Sequence, residues 1–494
     1  MKKNFLIKTF TALTAAAILL GLTGTKAFAA GLPYDSYNYD YREYIHFTPA
    51  AYIPDGNINV EKYLFNGEEV GKLLSPQDIC VDEEGLIYIA DTGNNRIVIL
   101  NNRMDKVVDI ISTFDNKGSE DSFNKPAGVC VSEAGEIYIA DSQNRRVVVL
   151  KKNHDFVRVV ENPTSESLDD NFVFTPLRIT VDYADRLYVI AQNMFEGIMV
   201  FESNGNFSSF FGTINVEISL WDKFWKRLAT KEERSKQKLF IPTEFTGLDI
   251  DPDGFVYATN LDANGIQGVR RLNPRGADVI KKGANLNVGG DLQIAGITEY
   301  AGASQFTDVV YRGNGIYSCI DRRRGRVFTY DHEGNLLYIF GGLGSQSGTF
   351  KLPTAIEDIG GRIVVLDGTL CELVTFKVSE YGDLINRAVA LRYDGDEAMA
   401  VGLWEQVLKL DENNELAHTG IGKAYLTAGD YREAMRHLKL GMARDYYSVA
   451  YRRYRNEILR KNAGFFLTGA SVLIIAAAVF VRIRRKKKGV VKDA

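Results

Sequence analysis

The sequence predicts a mainly β fold, a six-bladed β-propeller, followed by a small all-α domain and one transmembrane helix. Three observations predict it. A strand pattern recurs about every fifty residues. The apolar period changes from two to about 3.6 after Gly382. A charge-free apolar run, Ala463 to Val481, stands near the C-terminus. A fixed period of about fifty residues marks a propeller or a solenoid.

The chain of 494 residues opens with Lys2, Lys3 and Lys8, an apolar run from Phe10 to Leu22, and Ala27-Phe28-Ala29. These have the form of the basic region, apolar region and cleavage site of an export signal. Residues 1–29 are therefore expected to be a signal peptide. Residues 30–57 form a strap rich in tyrosine (Tyr34, Tyr37, Tyr39, Tyr41, Tyr44 and Tyr52), expected to pack across a propeller face; stacking on sugars is the other use of such rings. Charged residues make up 25% and the net charge is −4, a balance that gives no sign of nucleic-acid binding.

The propeller is assigned to residues 58–380. Pro76, Asp78-Ile79-Cys80-Val81, Gly85, Ile87-Tyr88-Ile89-Ala90-Asp91 and Asn94-Asn95-Arg96 recur fifty residues later as Pro126, Cys130-Val131, Gly135, Ile137-Tyr138-Ile139-Ala140-Asp141 and Asn144-Arg145-Arg146. Pro176, Val181 and Leu187-Tyr188 follow at the same interval. Looser units begin at Pro242, Phe306 and Leu352-Pro353. Alternating β-branched residues between Gly, Asn and Asp turns imply four-stranded antiparallel blades, which bury their faces only by stacking and lose their edges only by closing a ring. The stretch Asn57 to Phe65 is expected to complete the last blade.

These residues resemble the NHL repeat family, most closely in IYIADTGNNRIVIL and IYIADSQNRRVVVL. The resemblance implies a six-bladed propeller that serves as a binding platform, with a few enzymes among relatives. The pairs Asp91/Arg96, Asp141/Arg146 and Asp321/Arg326 flank turns, so each is expected to pin its hairpin as a short ion pair. Cys80 and Cys130 hold equivalent positions in neighbouring blades, too far apart for a bridge, and Cys319 and Cys371 are not equivalent. Four free thiols are expected. An insertion at about 218–239 carries Leu220, Trp221, Phe224, Trp225 and Leu228 on one helical face and a capping box at Thr230-Lys231-Glu232-Glu233. It is expected to cap the propeller rim, or else to dock on a membrane or protein.

Residues 383–461 show pairs 34 apart: Gly395-Asp396 with Gly429-Asp430, Ala400 with Ala434, Leu391 with Tyr425 and Trp404 with Leu438. The spacing and the small/large alternation resemble the tetratricopeptide repeat, which implies protein–protein contact; a rigid spacer above the bilayer fits the same residues. Residues 463–481 are long enough to cross ~30 Å of hydrocarbon as a helix. The basic tail 482–494 (Arg482, Arg484, Arg485, Lys486, Lys487, Lys488) argues that it stays in the cytoplasm. The near flank is basic too, with Arg452, Arg453, Arg455, Arg460 and Lys461, so the export signal decides the orientation: a single-pass protein of the cell membrane, N-terminus outside.

The histidines (His46, His154, His332, His418 and His437) show no zinc spacing, and no nucleophile elbow, phosphate loop or Cys-x-x-Cys is present. Residues just after each blade's leading Pro or Phe are expected to face the central channel: Asp78, Arg178, Glu244 and Asp308. Three such carboxylates suit Ca²⁺, and six-bladed lactonases hold a cation at this place. Arg178 would repel a cation, and neutralising the acids is its structural alternative. The leading expectation is a membrane-anchored extracytoplasmic scaffold presenting its propeller and helical repeats to protein or glycan partners, such as an envelope or transport complex. A metal-dependent lactonase-like hydrolase using the channel is the alternative.

Overall fold

A computed structural model describes residues 31–163, 165, 168, 172–213, 244–262, 268–283, 288–292 and 302–490. The expected signal peptide and the helical insertion lie outside the described residues.

Six blades follow one another. Blade one comprises strands Asp78–Val81, Ile87–Asp91, Arg96–Leu100 and Val107–Ile111. Blade two comprises Pro126–Val131, Ile137–Asp141, Arg146–Leu150 and Phe156–Val160. Blade three comprises Pro176–Val181, Leu187–Ala191, Ile198–Phe201 and Phe207–Phe211. Blade four has three strands among the described residues, Phe245–Ile250, Val256–Asn260 and Val269–Leu272. Blade five comprises Phe306–Tyr311, Tyr317–Asp321, Arg326–Tyr330 and Leu336–Phe340. Inner strands of successive blades touch in a ring, the sixth against the first. Second strands such as IYIAD are buried along their whole length, because a neighbouring blade covers each face. That burial selects the β-branched and tyrosine residues seen there.

Blade six is Pro353–Ile359, Arg362–Asp367 and Glu372–Val378, completed by Tyr52–Ile58 from the N-terminal side. The closing strand thus starts earlier than the expected Asn57 to Phe65 and lies largely within the tyrosine strap. Pro54 and Gly56 disguise it in the sequence. An outermost strand tolerates them, since one of its edges faces no partner. Tyr52 pairs with Val378 and Pro54 with Phe376.

The rest of the strap forms a small hairpin, Tyr37–Tyr39 with Ile45–Phe47, against the outer strand of blade five. Tyr34, Tyr37 and Tyr39 are buried, whereas Tyr44 is exposed. The Tyr37 hydroxyl donates to Asp291 at 3.0 Å, Tyr39 contacts the same carboxylate, and Asn38 donates to the Leu337 carbonyl at 3.2 Å.

Six helices follow: α1 Glu380–Tyr393, α2 Glu397–Leu410, α3 Glu415–Ala428, α4 Tyr431–Leu440, α5 Arg444–Lys461 and α6 Ala463–Val490. The first five pack each against the next. Helix α1 begins three residues before the expected boundary at 383, because Ser379 caps it by accepting from the Gly382 amide. Asn414 and Asp430 cap α3 and α4 in the same way. Gly395 and Gly429, 34 residues apart, take positive φ of 87° and 86° just past helix ends, where a side chain would be strained. A Cβ on Gly420 would sit 2.5 Å from the Trp404 indole nitrogen, so this glycine is what lets α3 approach α2. Helix α6 is long and apolar enough over Ala463–Arg485 to cross a membrane, and that window is unburied.

Propeller and helices share one apolar core. Tyr52, Val327, Phe340, Ile356, Val374 and Phe376 from blades five and six are continuous with Tyr381, Ile385, Ala388, Trp404, Val407 and Ile421. Tyr52 is fully buried, stacks on Phe340 at 4.9 Å between ring centroids and accepts from Asn386 on α1 at 3.5 Å. Tyr52→Ala is expected to lower unfolding free energy by about 3–5 kcal/mol, the range for emptying a large aromatic site. Tyr44→Ala should change it by less than about 0.5 kcal/mol. Denaturant titration monitored by circular dichroism checks both.

Candidate functional site

Five of the six inner strands begin with a bulge. Register shifts separate Pro126 from Gly128, Pro176 from Arg178, Phe245 from Gly247, Phe306 from Asp308 and Pro353 from Ala355. The residue after the bulge points toward the neighbouring blade near the axis. In this register the six positions are Asp78, Gly128, Arg178, Gly247, Asp308 and Ala355. Glu244 does not belong among them. Blade four is led by Phe245, which pairs with Asn260 as Pro126 pairs with Asp141. Counting from Pro242 therefore landed three residues early. The glycines have a steric reason: a Cβ on Gly247 would sit 2.5 Å from the Asp308 Cα, and one on Gly128 would sit 2.8 Å from the Leu177 carbonyl oxygen.

The two acids are fasteners between blades. One oxygen of Asp78 accepts from the Val129 amide of blade two at 3.0 Å, and one oxygen of Asp308 accepts from the Ile356 amide of blade six at 3.0 Å. Asp249, missed in the sequence, does the same from blade four to the Tyr311 amide of blade five at 2.5 Å. A row of hydroxyls runs beside them. Thr92 donates to the Pro126 carbonyl at 2.7 Å and Ser142 to that of Pro176 at 2.5 Å. Thr246, Thr307 and Thr354 donate to Phe306, Pro353 and Pro76 at 2.8, 3.4 and 3.3 Å. Each bond joins one blade to the next, the last from blade six to blade one.

Arg178 crosses the ring. From blade three its guanidinium pairs with Asp78 of blade one and donates to the Thr354 carbonyl of blade six at 2.7 Å. It therefore stands as a strut across the channel at the level where the hydrolase alternative places a cation. Among the described residues no group of three or more His, Cys, Asp or Glu side chains is arranged to hold a metal ion. The donors expected for Ca²⁺ do not converge: Asp78 is committed to Arg178 and an amide, Asp308 to an amide, and Glu244 lies off register.

Burial pushes the Asp308 carboxyl up to about 8; the Arg178 charge opposes the rise and the Asp78 charge adds to it. Burial likewise raises Asp249 to about 7 and lifts Glu357 well above the usual carboxylate range, the latter helped by the charges of Asp249 and Asp308. Asp78 is raised by burial, with Arg178 as the largest opposing influence.

At the turns after the second strands, Arg96 pairs with Asp91 and Arg146 with Asp141, both at 2.8 Å. The same carboxylates accept from the Leu74 and Asn124 amides at 2.7 Å, tying the hairpin to the loop that enters the blade. The third pair does not form. Asp321 meets Arg324 at 3.4 Å, while Arg326 lies over the Tyr37 ring at 4.6 Å. The strap, invisible to a repeat alignment, captures that arginine. All four cysteines are free.

A second feature was missed entirely because its walls come from three distant parts of the chain. A cleft of about 720 Å³ lies between the strap hairpin, the Asp331–Asn335 turn of blade five, helix α3 and the start of α5. At its floor Arg392 and Lys423, both buried, converge on one carboxylate, Glu333; Lys423 Nζ is 3.1 Å away and Arg392 is in direct contact. Lys423 Nζ also sits over the Tyr446 ring at 4.1 Å.

Residues 73–100 and 123–150 match the NHL repeat. No curated protein matches the chain. Among solved structures, a streptogramin B lyase is 11% identical, with 66% of this chain and 97% of that one covered and a TM-score of 0.40. A virginiamycin B lyase from Staphylococcus aureus is also 11% identical, with 66% and 99% covered and a TM-score of 0.40. A protein of unknown function from Bacteroides thetaiotaomicron is 14% identical, with 66% and 73% covered and a TM-score of 0.42. Likeness at this level assigns no activity.

Removing Arg178 strands a buried carboxylate, so Arg178→Met should destabilise by about 3–5 kcal/mol at pH 7 and by less at lower pH, where protonation of Asp78, already favoured by burial, relieves the unpaired charge. For Asp308 and Asp249 the folded values lie above the unfolded ones, so their stabilising contribution is complete below about pH 4 and is lost as pH rises through about 7 to 8. Asp308→Asn should therefore raise the unfolding midpoint at pH 8 more than at pH 5. Thermal melts across that window measure both effects, and an equal shift at both pH values would refute the second. The chain carries NHL repeats in a six-bladed β-propeller followed by C-terminal helices.

Proposed function

We propose that this chain is a membrane-anchored binding scaffold whose propeller and tetratricopeptide-like helices face protein or glycan partners outside the cytoplasm. The observation that carries the reading is the single apolar core running from blades five and six into α1, α2 and α3. It makes the propeller and the helical repeats one body, and that body continues through α5 into the apolar α6 with Asn462 alone between them. Such a unit holds a binding surface at a set place relative to a bilayer. The repeat reading of the helices is supported by the paired Gly395 and Gly429 turns and by burial of Ala400 with Ala434 and of Trp404 with Leu438. The export-type N-terminus and the basic tail support an outside propeller and an inside C-terminus. The hydrolase alternative gains nothing from the channel, where Arg178 occupies the axis and the carboxylates bind neighbouring amides.

Two measurements test the reading. A membrane-impermeant amine reagent on intact cells should label exposed propeller lysines such as Lys117 and Lys125 and leave Lys486 to Lys488 unlabelled; the reverse pattern refutes the orientation. Crosslinking in intact membranes followed by purification should recover a specific protein or glycan, and recovery of neither refutes the scaffold.

A further inference from the structure

We propose that the cleft between the fifth blade, the strap hairpin, helix α3 and the start of α5 binds a carboxylate-rich peptide segment of a partner protein. The inference deepens the scaffold reading and rests on it.

The charge arrangement points to this ligand. Arg392 and Lys423 share the single carboxylate of Glu333, with Asp331 3.8 Å from Arg392. Of the other acids in the lining, Asp40 accepts the Arg42 and Tyr44 amides at 2.8 and 2.9 Å, and Glu415 accepts the Tyr41 amide. Both are spent on the backbone of the strap. Lys281, Lys282 and Arg444 also line the cleft, and among the described residues none forms a salt bridge. Asp445 is the remaining acid there. The positive charge is felt nearby: the charges of Arg392, Lys281 and Lys423 all act to lower the His332 imidazole, with burial the largest cause and Asp331 opposing.

The walls add contacts suited to a peptide. Tyr446 is 39% exposed, and the buried Nδ1 of His46 has no hydrogen-bond partner among the described residues. Asn335 and Thr419 stand in the same lining. A cleft of about 720 Å³ lies within the range of ligand sites, roughly 300–1,000 Å³. A chain that mixes carboxylates with amides matches cations interspersed with Asp445 and neutral donors. A polyphosphate would set dense negative charge against Asp445 and Glu333.

The test uses the full chain in nanodiscs and a fluorescein-labelled hexaglutamate peptide, read by anisotropy. Saturable binding that weakens with salt is expected. The rim variant Lys281→Glu with Lys282→Glu, both exposed positions, should lose affinity by about tenfold or more. The charge-matched control Arg103→Glu with Lys106→Glu, elsewhere on the propeller, should bind as the parent does. Absence of saturable binding, equal losses in both variants, or tighter binding of a galacturonate oligomer than of the peptide would overturn the proposal. Recovery from membranes of a partner whose capture is indifferent to Lys281 and Lys282 would sink the cleft while leaving the scaffold standing.

Discussion

The structure depends on how the ring is closed. A repeat of stacked blades leaves an open edge at each end unless the first and last are joined. Here the strand Tyr52–Ile58 is carried across to complete the sixth blade. The same segment seats the helical region. The amide of Ser379, the cap of α1, donates to the Ala51 carbonyl at 2.9 Å, and its hydroxyl donates to that of Ala50 at 2.6 Å. Tyr52 then packs between blade and helix. Ring closure and attachment of the helices therefore use one segment, and the core of blades five and six is shared with the helices.

The polar groups near the axis make sense in the same terms. Buried acids in a channel invite a catalytic reading, and raised carboxyl values are common at functional sites. In this chain the carboxylates of Asp78, Asp249 and Asp308 each accept an amide of the next blade, so their burial follows from fastening the ring. An unmet buried amide is costly, about 1–3 kcal/mol. The acceptors and the hydroxyls beside them distribute that satisfaction around the joints. Arg178 adds a bond across the diameter, holding blade three to blades one and six.

Much of this was legible in the sequence, for physical reasons that particular residues display. The IYIAD strands and the Asn-x-Arg turns stand out because full burial and a left-handed turn residue allow few alternatives; Asn95 and Arg145 indeed take positive φ of 56° and 59°. The free cysteines followed from register alone. The closing strand was misplaced because Pro54 and Gly56 break its pattern at an edge where a broken pattern costs little. Glu244 was miscounted because blade four is led by Phe245 with no proline to mark it. The Arg326 contact with Tyr37 and the junction cleft were beyond reach, since both join residues hundreds of positions apart without any repeat to relate them.

The central claim is that propeller and helices are one cooperative body welded through Tyr52. Hydrogen exchange of the full chain in detergent, followed by mass spectrometry in increasing denaturant, tests it most directly. The account predicts that the slowest amides of α1 to α3 and of the inner strands of blades five and six share one opening free energy and one denaturant dependence. Helices that open at lower free energy while the blades remain protected would contradict it.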